Sequence, residues 1–90
     1  MPKISKEKIK KIKEAILALL YAKFPYPLFT AQIARELARD EEFIKRLLIE
    51  LERDKLVKRI TEKEGKIYLR KTLWQLSEKA YMVYKNIKEK

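Results

Sequence analysis

Hydrophobic and polar positions alternate with a helical period over the first half of the chain. Ile9, Ile12, Ile16 and Leu19 recur at that spacing, and Leu20 widens the stripe. The pattern predicts a helix over residues 5–23, with Ser5 as its N-cap and Lys6, Lys10 and Lys13 on another face. Pro25 and Pro27 end it near Phe24, because proline lacks a backbone N–H and its ring clashes in a helix interior. Residues 24–29 (FPYPLF) read as an aromatic, proline-stiffened connector. Thr30 reads as the N-cap of a short second helix over 31–38, with Ile33, Ala34 and Leu37 facing inward. Arg39 breaks that pattern, and Asp40 caps a third helix over 41–54. Phe43, Ile44, Leu47, Leu48 and Leu51 share its inner face; Glu42, Lys45, Arg46, Ile49 and Arg53 share the opposite, exposed one.

The period then falls to two. Residues 56–61 (LVKRIT) predict a strand, Glu64-Gly65 a turn that uses the only glycine where positive φ is needed, and residues 66–76 a long second strand. Ser77 caps a last helix over 78–88, with Ala80, Val83, Tyr84 and Ile87 on one face. The order is helix, helix, helix, strand, strand, helix. It predicts a mainly α fold with a β-hairpin wing, a winged helix-turn-helix, as one domain over residues 1–90. The second and third helices form the helix-turn-helix and the hairpin forms the wing.

Length and composition narrow the chemistry. Ninety residues lie near the lower limit for a domain that folds without help, and no Cys supplies a disulfide or thiolate metal site. Pairing of two copies is the natural substitute. The absence of His removes the commonest general base and metal ligand. No Gly-rich phosphate loop exists, so the sequence points away from an enzyme and implies no cofactor. No apolar run reaches the roughly 20 residues that span a bilayer, and the expected location is cytoplasmic. Abundant Lys, Glu and Ile with few Asn and Gln fit a thermophilic source.

The passage over residues 47–59 (LLIELERDKLVKR) resembles the "L-x-x-L-E-x-x-G-L-V" stretch by which winged-helix regulators leave the recognition helix for the wing, with Lys55 in place of the Gly. Residues 74–80 (WQLSEKA) resemble the "Y-x-L-T-x-K-G" close of PadR-type and MarR-type proteins, with Ala80 in place of the Gly. The likeness covers residues 5–88 and looks most like minimal PadR-like proteins, among them an archaeal plasmid-partition component. It implies binding to a palindromic centromere on double-stranded DNA, spreading along that DNA, and recruitment of a ParB-like adaptor. A PadR/MarR-like transcriptional repressor is the alternative. The family builds a homodimer from its terminal helices, which matches the apolar surface of Ile9, Ile12, Ile16, Leu19, Tyr81, Tyr84 and Ile87.

The net charge of +10 is unevenly spread. Residues 1–23 carry +5, 24–40 carry 0, 41–55 carry −1, 56–72 carry +4 and 73–90 carry +2. The third helix is therefore not basic, whereas the wing is. Phosphate contacts are expected from Lys58, Arg59, Lys63, Lys66 and Arg70. Base-edge or shape contacts are expected from Lys45, Arg46 and Ile49, with Gln32 and Arg35 from the second helix. Glu42 lies on the same face; with Glu41 it is most simply a partner of the helix dipole, and its charge repels phosphate. Two rival readings remain open: a protein-interaction winged helix, from the acidic third helix and Ile49, and a membrane-surface role for the Lys-rich first helix.

Overall fold

The structure, a computed structural model, describes residues 5–60 and 72–88. The elements are α1 (Lys6–Lys23), β1 (Leu28–Phe29), α2 (Thr30–Leu37), α3 (Glu41–Arg53), β2 (Val57–Ile60), β3 (Leu73–Leu76) and α4 (Glu78–Lys88). The expected winged helix-turn-helix is present, with one addition. The connector before α2 carries a two-residue strand, and the sheet is three-stranded and antiparallel in the order β1-β3-β2. Leu28 pairs with Trp74 on one side of β3, and Val57 to Ile60 pair with Leu76 to Leu73 on the other. Two residues are too few to show a period, so only the partner strand reveals β1. Of the long second strand, Leu73–Leu76 is seen and residues 66–71 lie outside the described residues.

The core follows the predicted stripes. Ile16, Ile33, Ile44, Leu48, Trp74 and Leu76 are fully enclosed, with Ile12, Leu20, Leu47, Leu51 and Val57 nearly so. This corrects the assignment of Ile12 and Ile16 to a dimer interface. The chain's own core already covers them, and almost no surface is left to offer a second copy. Ile9 and Leu19 are half-buried against the same core. In α4, Ala80 faces inward while Val83 is exposed, because Tyr81 and Tyr84, rather than Val83, turn towards α1. Tyr81 stacks on Phe24 with ring centroids 4.0 Å apart. Met82, Val83 and Ile87 are left as exposed apolar positions. Among the described residues no helix is long and apolar enough to cross a membrane.

The helix starts obey capping chemistry. Ser5 accepts from the Lys8 N–H, Asp40 from the Phe43 N–H and Ser77 from the Ala80 N–H. Thr30 does not cap α2, contrary to the sequence pattern. Phe29 occupies the N-cap, and its N–H donates to Gln32 Oε1 at 2.8 Å, the return half of a capping box. The Thr30 hydroxyl is drawn inward, where its Oγ1 accepts from Trp74 Nε1 at 2.7 Å. A buried indole N–H needs an acceptor, and a threonine at the helix edge is the one within reach.

Both helices of the helix-turn-helix end on a left-handed residue that is not glycine. Ala38 has φ 54° and Lys55 has φ 64°. Each closes a Schellman motif: Arg39 N–H donates to the Ala34 carbonyl, and Leu56 N–H to the Leu51 carbonyl. A Cβ in this conformation costs about 1–2 kcal/mol. Lys55 stands where the related passage carries Gly, and the backbone there has kept the glycine geometry. Lys55→Gly is expected to stabilise the fold by roughly 0.5–1 kcal/mol, after the added freedom of the unfolded chain is subtracted. A urea midpoint that moves down in Lys55→Gly contradicts this.

Candidate nucleic-acid interface

α2 packs across α3, and the Schellman turn after α3 delivers the chain directly into β2. The C-terminal end of α3 and the root of the wing therefore lie next to each other. On α3, Glu42, Lys45, Arg46 and Arg53 are exposed, as the periodicity predicts. Ile49 is not. It is half-buried and packs on the core, which removes it as a free contact point and withdraws the main apolar support for the protein-interaction reading.

Gln32 and Arg35 are exposed on α2 and line one shallow groove of about 200 Å³ with Glu41 and Thr72. The groove brings together the starts of α2 and α3 and the root of β3. Gln32 spends its Oε1 on the Phe29 N–H, which leaves the amide NH₂ as its outward donor. Arg35 extends from the second turn of the helix.

The wing residues divide. Lys63, Lys66 and Arg70 fall outside the described residues. Lys58 and Arg59 are both exposed, but alternation along β2 sends them to opposite faces. Lys58 pairs with Gln75 on the outer face. Arg59 pairs with Trp74 and shares its face with buried Val57. Its guanidinium carbon lies 4.9 Å from the Trp74 ring centroid, and its Nη2 is 2.9 Å from Glu52 Oε1. Arg59 is thus engaged on two sides, which the alternating charge pattern alone did not reveal. Only the observed strand register, which puts residue 59 opposite residue 74, brings these groups together.

The Lys row of α1 is also partly engaged. Lys13 Nζ lies 2.7 Å from Glu50 Oε1 on α3. The Lys13 hydrogen bond holds the Glu50 carboxyl below its ordinary value, against partial burial, with the charges of Lys13, Arg53 and Arg46 assisting. A depressed carboxylate pKa stabilises the fold above the unfolded value and loses that contribution as pH falls through the folded value. The stability gap between the wild type and Glu50→Gln is accordingly expected to be full above pH 4.5 and to close at lower pH. Urea melts of both proteins across that range check it, and a gap that stays constant rules it out.

Among the described residues no three His, Cys, Asp or Glu side chains gather in a way that would hold a metal ion. No protein-family model matches the chain, and no curated protein matches it either. Solved structures do. The chain is similar to the Lactococcus lactis protein ZitR (apo form of a double mutant), at 29% identity and TM-score 0.70, over 92% of this chain and 58% of that one. It is similar to a Staphylococcus aureus MepR point mutant bound to an oligodeoxyribonucleotide, at 26% identity and TM-score 0.68, over 87% of this chain and 56% of that one. A MepR–DNA complex superposes with TM-score 0.74 at 24% identity, which speaks to the fold alone. The chain spans little more than half the length of ZitR and of the MepR mutant. These neighbours are winged-helix regulators, and the chain has the winged helix-turn-helix fold.

Proposed function

We propose that the chain is a site-specific double-stranded DNA-binding protein that acts as a transcriptional repressor and not as an enzyme. The observation that carries this reading is the likeness to MepR bound to an oligodeoxyribonucleotide, in a fold whose α3 offers a solvated Lys45/Arg46 face and whose β2 carries an exposed Lys58. MepR is described as a transcription regulator of a multidrug efflux pump. Arg46 supplies a bidentate donor for guanine, Lys45 and Lys58 supply phosphate contacts, and Gln32 and Arg35 extend the footprint from α2. Glu42 trims the basic field near the start of α3, which favours selective over indiscriminate binding.

Two copies joined through the terminal helices bring two α3 helices to half-sites about one DNA turn apart. The exposed Met82, Val83 and Ile87 of α4, with Tyr81 and Tyr84 beside them, supply apolar surface for that pairing. The resemblance to AspA, the archaeal plasmid-partition component among the PadR-like proteins, with partition, spreading and a ParB-like adaptor, rests on the sequence passages alone. The solved neighbours favour repression.

Selection of bound fragments from a genomic DNA pool, followed by footprinting at rising protein concentration, tests the proposal. A repressor protects one palindromic operator and stops. Protection that grows outward from a nucleating site returns the reading to partition. Retention of no fragment over bulk DNA at low salt removes site-specific binding altogether.

A further inference from the structure

The three elements of the proposed DNA interface are joined by one unbroken run of side chains. Glu52, in the last turn of α3, holds Arg59 of β2 at 2.9 Å. Arg59 lies over the indole of its cross-strand partner Trp74 at 4.9 Å. Trp74 in turn donates to Thr30, the first residue of α2, at 2.7 Å. Trp74 has no exposed surface, and Arg59 lies over its ring. The side chains of Arg59 and Glu52 keep 39% and 34% of their surface, so the outer link is open to solvent while the inner link is sealed.

Resting on the DNA-binding reading above, we propose that Arg59 is a positioning residue, held by Glu52 and Trp74 so that the wing root keeps a fixed angle to α3. A phosphate contact is the role that its charge alone suggests. Three features argue for positioning. Strand alternation turns Arg59 to the face of Val57 and Trp74, opposite to Lys58. Its guanidinium fork is already bonded to a carboxylate. The planar group also lies over an aromatic ring, a geometry that lysine does not reproduce.

The two roles predict opposite signs. Glu52→Ala removes a negative charge from the interface, which by field alone tightens DNA binding. If Glu52 instead holds Arg59 in place, Glu52→Ala weakens binding, by about fivefold or more. Arg59→Lys, which keeps the charge, weakens it similarly, and the double variant is no weaker than either single one. The slope of log affinity against log salt stays at the wild-type value in all three, because no phosphate contact is lost. Exposed ion pairs contribute little to global stability, so all three proteins remain folded.

A second measurement needs no DNA. Trp74 is the only tryptophan, and Glu52→Ala and Arg59→Lys should shift its emission to the red alike as the ring is uncovered. Tighter or unchanged binding by Glu52→Ala overturns the proposal. So does a salt slope lowered by about 0.9 in Arg59→Ala, the signature of one lost phosphate contact. If the wild type binds no DNA, the DNA reading falls by itself. The holding of Arg59 by Glu52 then stands or falls on the emission of Trp74, which an unmoved spectrum in Glu52→Ala decides against it.

Discussion

Trp74→Ala is expected to cost about 3–5 kcal/mol, enough to bring a domain of this size to the edge of unfolding. The indole is completely enclosed in β3, and it touches three separate parts of the fold. Its strand partners are Leu28 and Arg59, and its N–H reaches Thr30, which lies 44 residues away in the chain. Truncation removes the apolar contact, opens a cavity between α2 and the sheet, and leaves the Thr30 hydroxyl without its donor. Circular dichroism followed through a urea titration measures the loss. Thr30→Val isolates the polar part: it keeps the shape and strands the indole N–H, at a cost of about 1–3 kcal/mol. In a domain of this size each kcal/mol lowers Tm by roughly 4–8 °C. A Thr30→Val protein that melts with the wild type would show that the bond contributes nothing.

The second large effect concerns binding. If about six to ten phosphates are contacted, affinity for the selected site should fall by about 10³–10⁵ between about 50 and 200 mM salt. Two substitutions separate the contributions. Lys58, on the outer face of β2, is a phosphate contact in this reading. Lys58→Ala should therefore weaken all sequences alike and lower the salt slope by about 0.9. Arg46→Ala should instead narrow the gap between the selected site and a single-base variant by about 1–3 kcal/mol. The assignment of α3 as the reading helix is lost if Arg46→Ala weakens selected and random DNA equally. Titrations at several salt concentrations against both DNAs provide every quantity needed.

Much of this is legible from pattern. The Ile12-Ile16 stripe, the Ile44-Leu47-Leu48-Leu51 face and the caps at Ser5, Asp40 and Ser77 all depend on neighbours within four residues. Lys55 is an intermediate case. The sequence shows that it stands where the related passage carries Gly, and the structure shows that the backbone there has positive φ. Ile49 shows the limit. The helical period puts it on the outer face of α3 but does not give its burial, because burial depends on what else arrives at that edge of the core.

The order of the helices, their inward faces, the change to strand period at residue 56 and the concentration of charge outside α3 can all be read along the chain. Local physics dictates them, through capping, propensity and periodicity. Folding in three dimensions was needed to establish that β1 exists, that Thr30 serves Trp74 instead of its own helix, that Ile12 and Ile16 belong to the core, and that Arg59 is held by Glu52 and Trp74. Each of these depends on a partner distant in the chain. A strand needs its neighbour's hydrogen-bonding groups, a buried N–H takes whichever acceptor folding brings near, and a charge is free only if nothing opposite in sign is packed beside it.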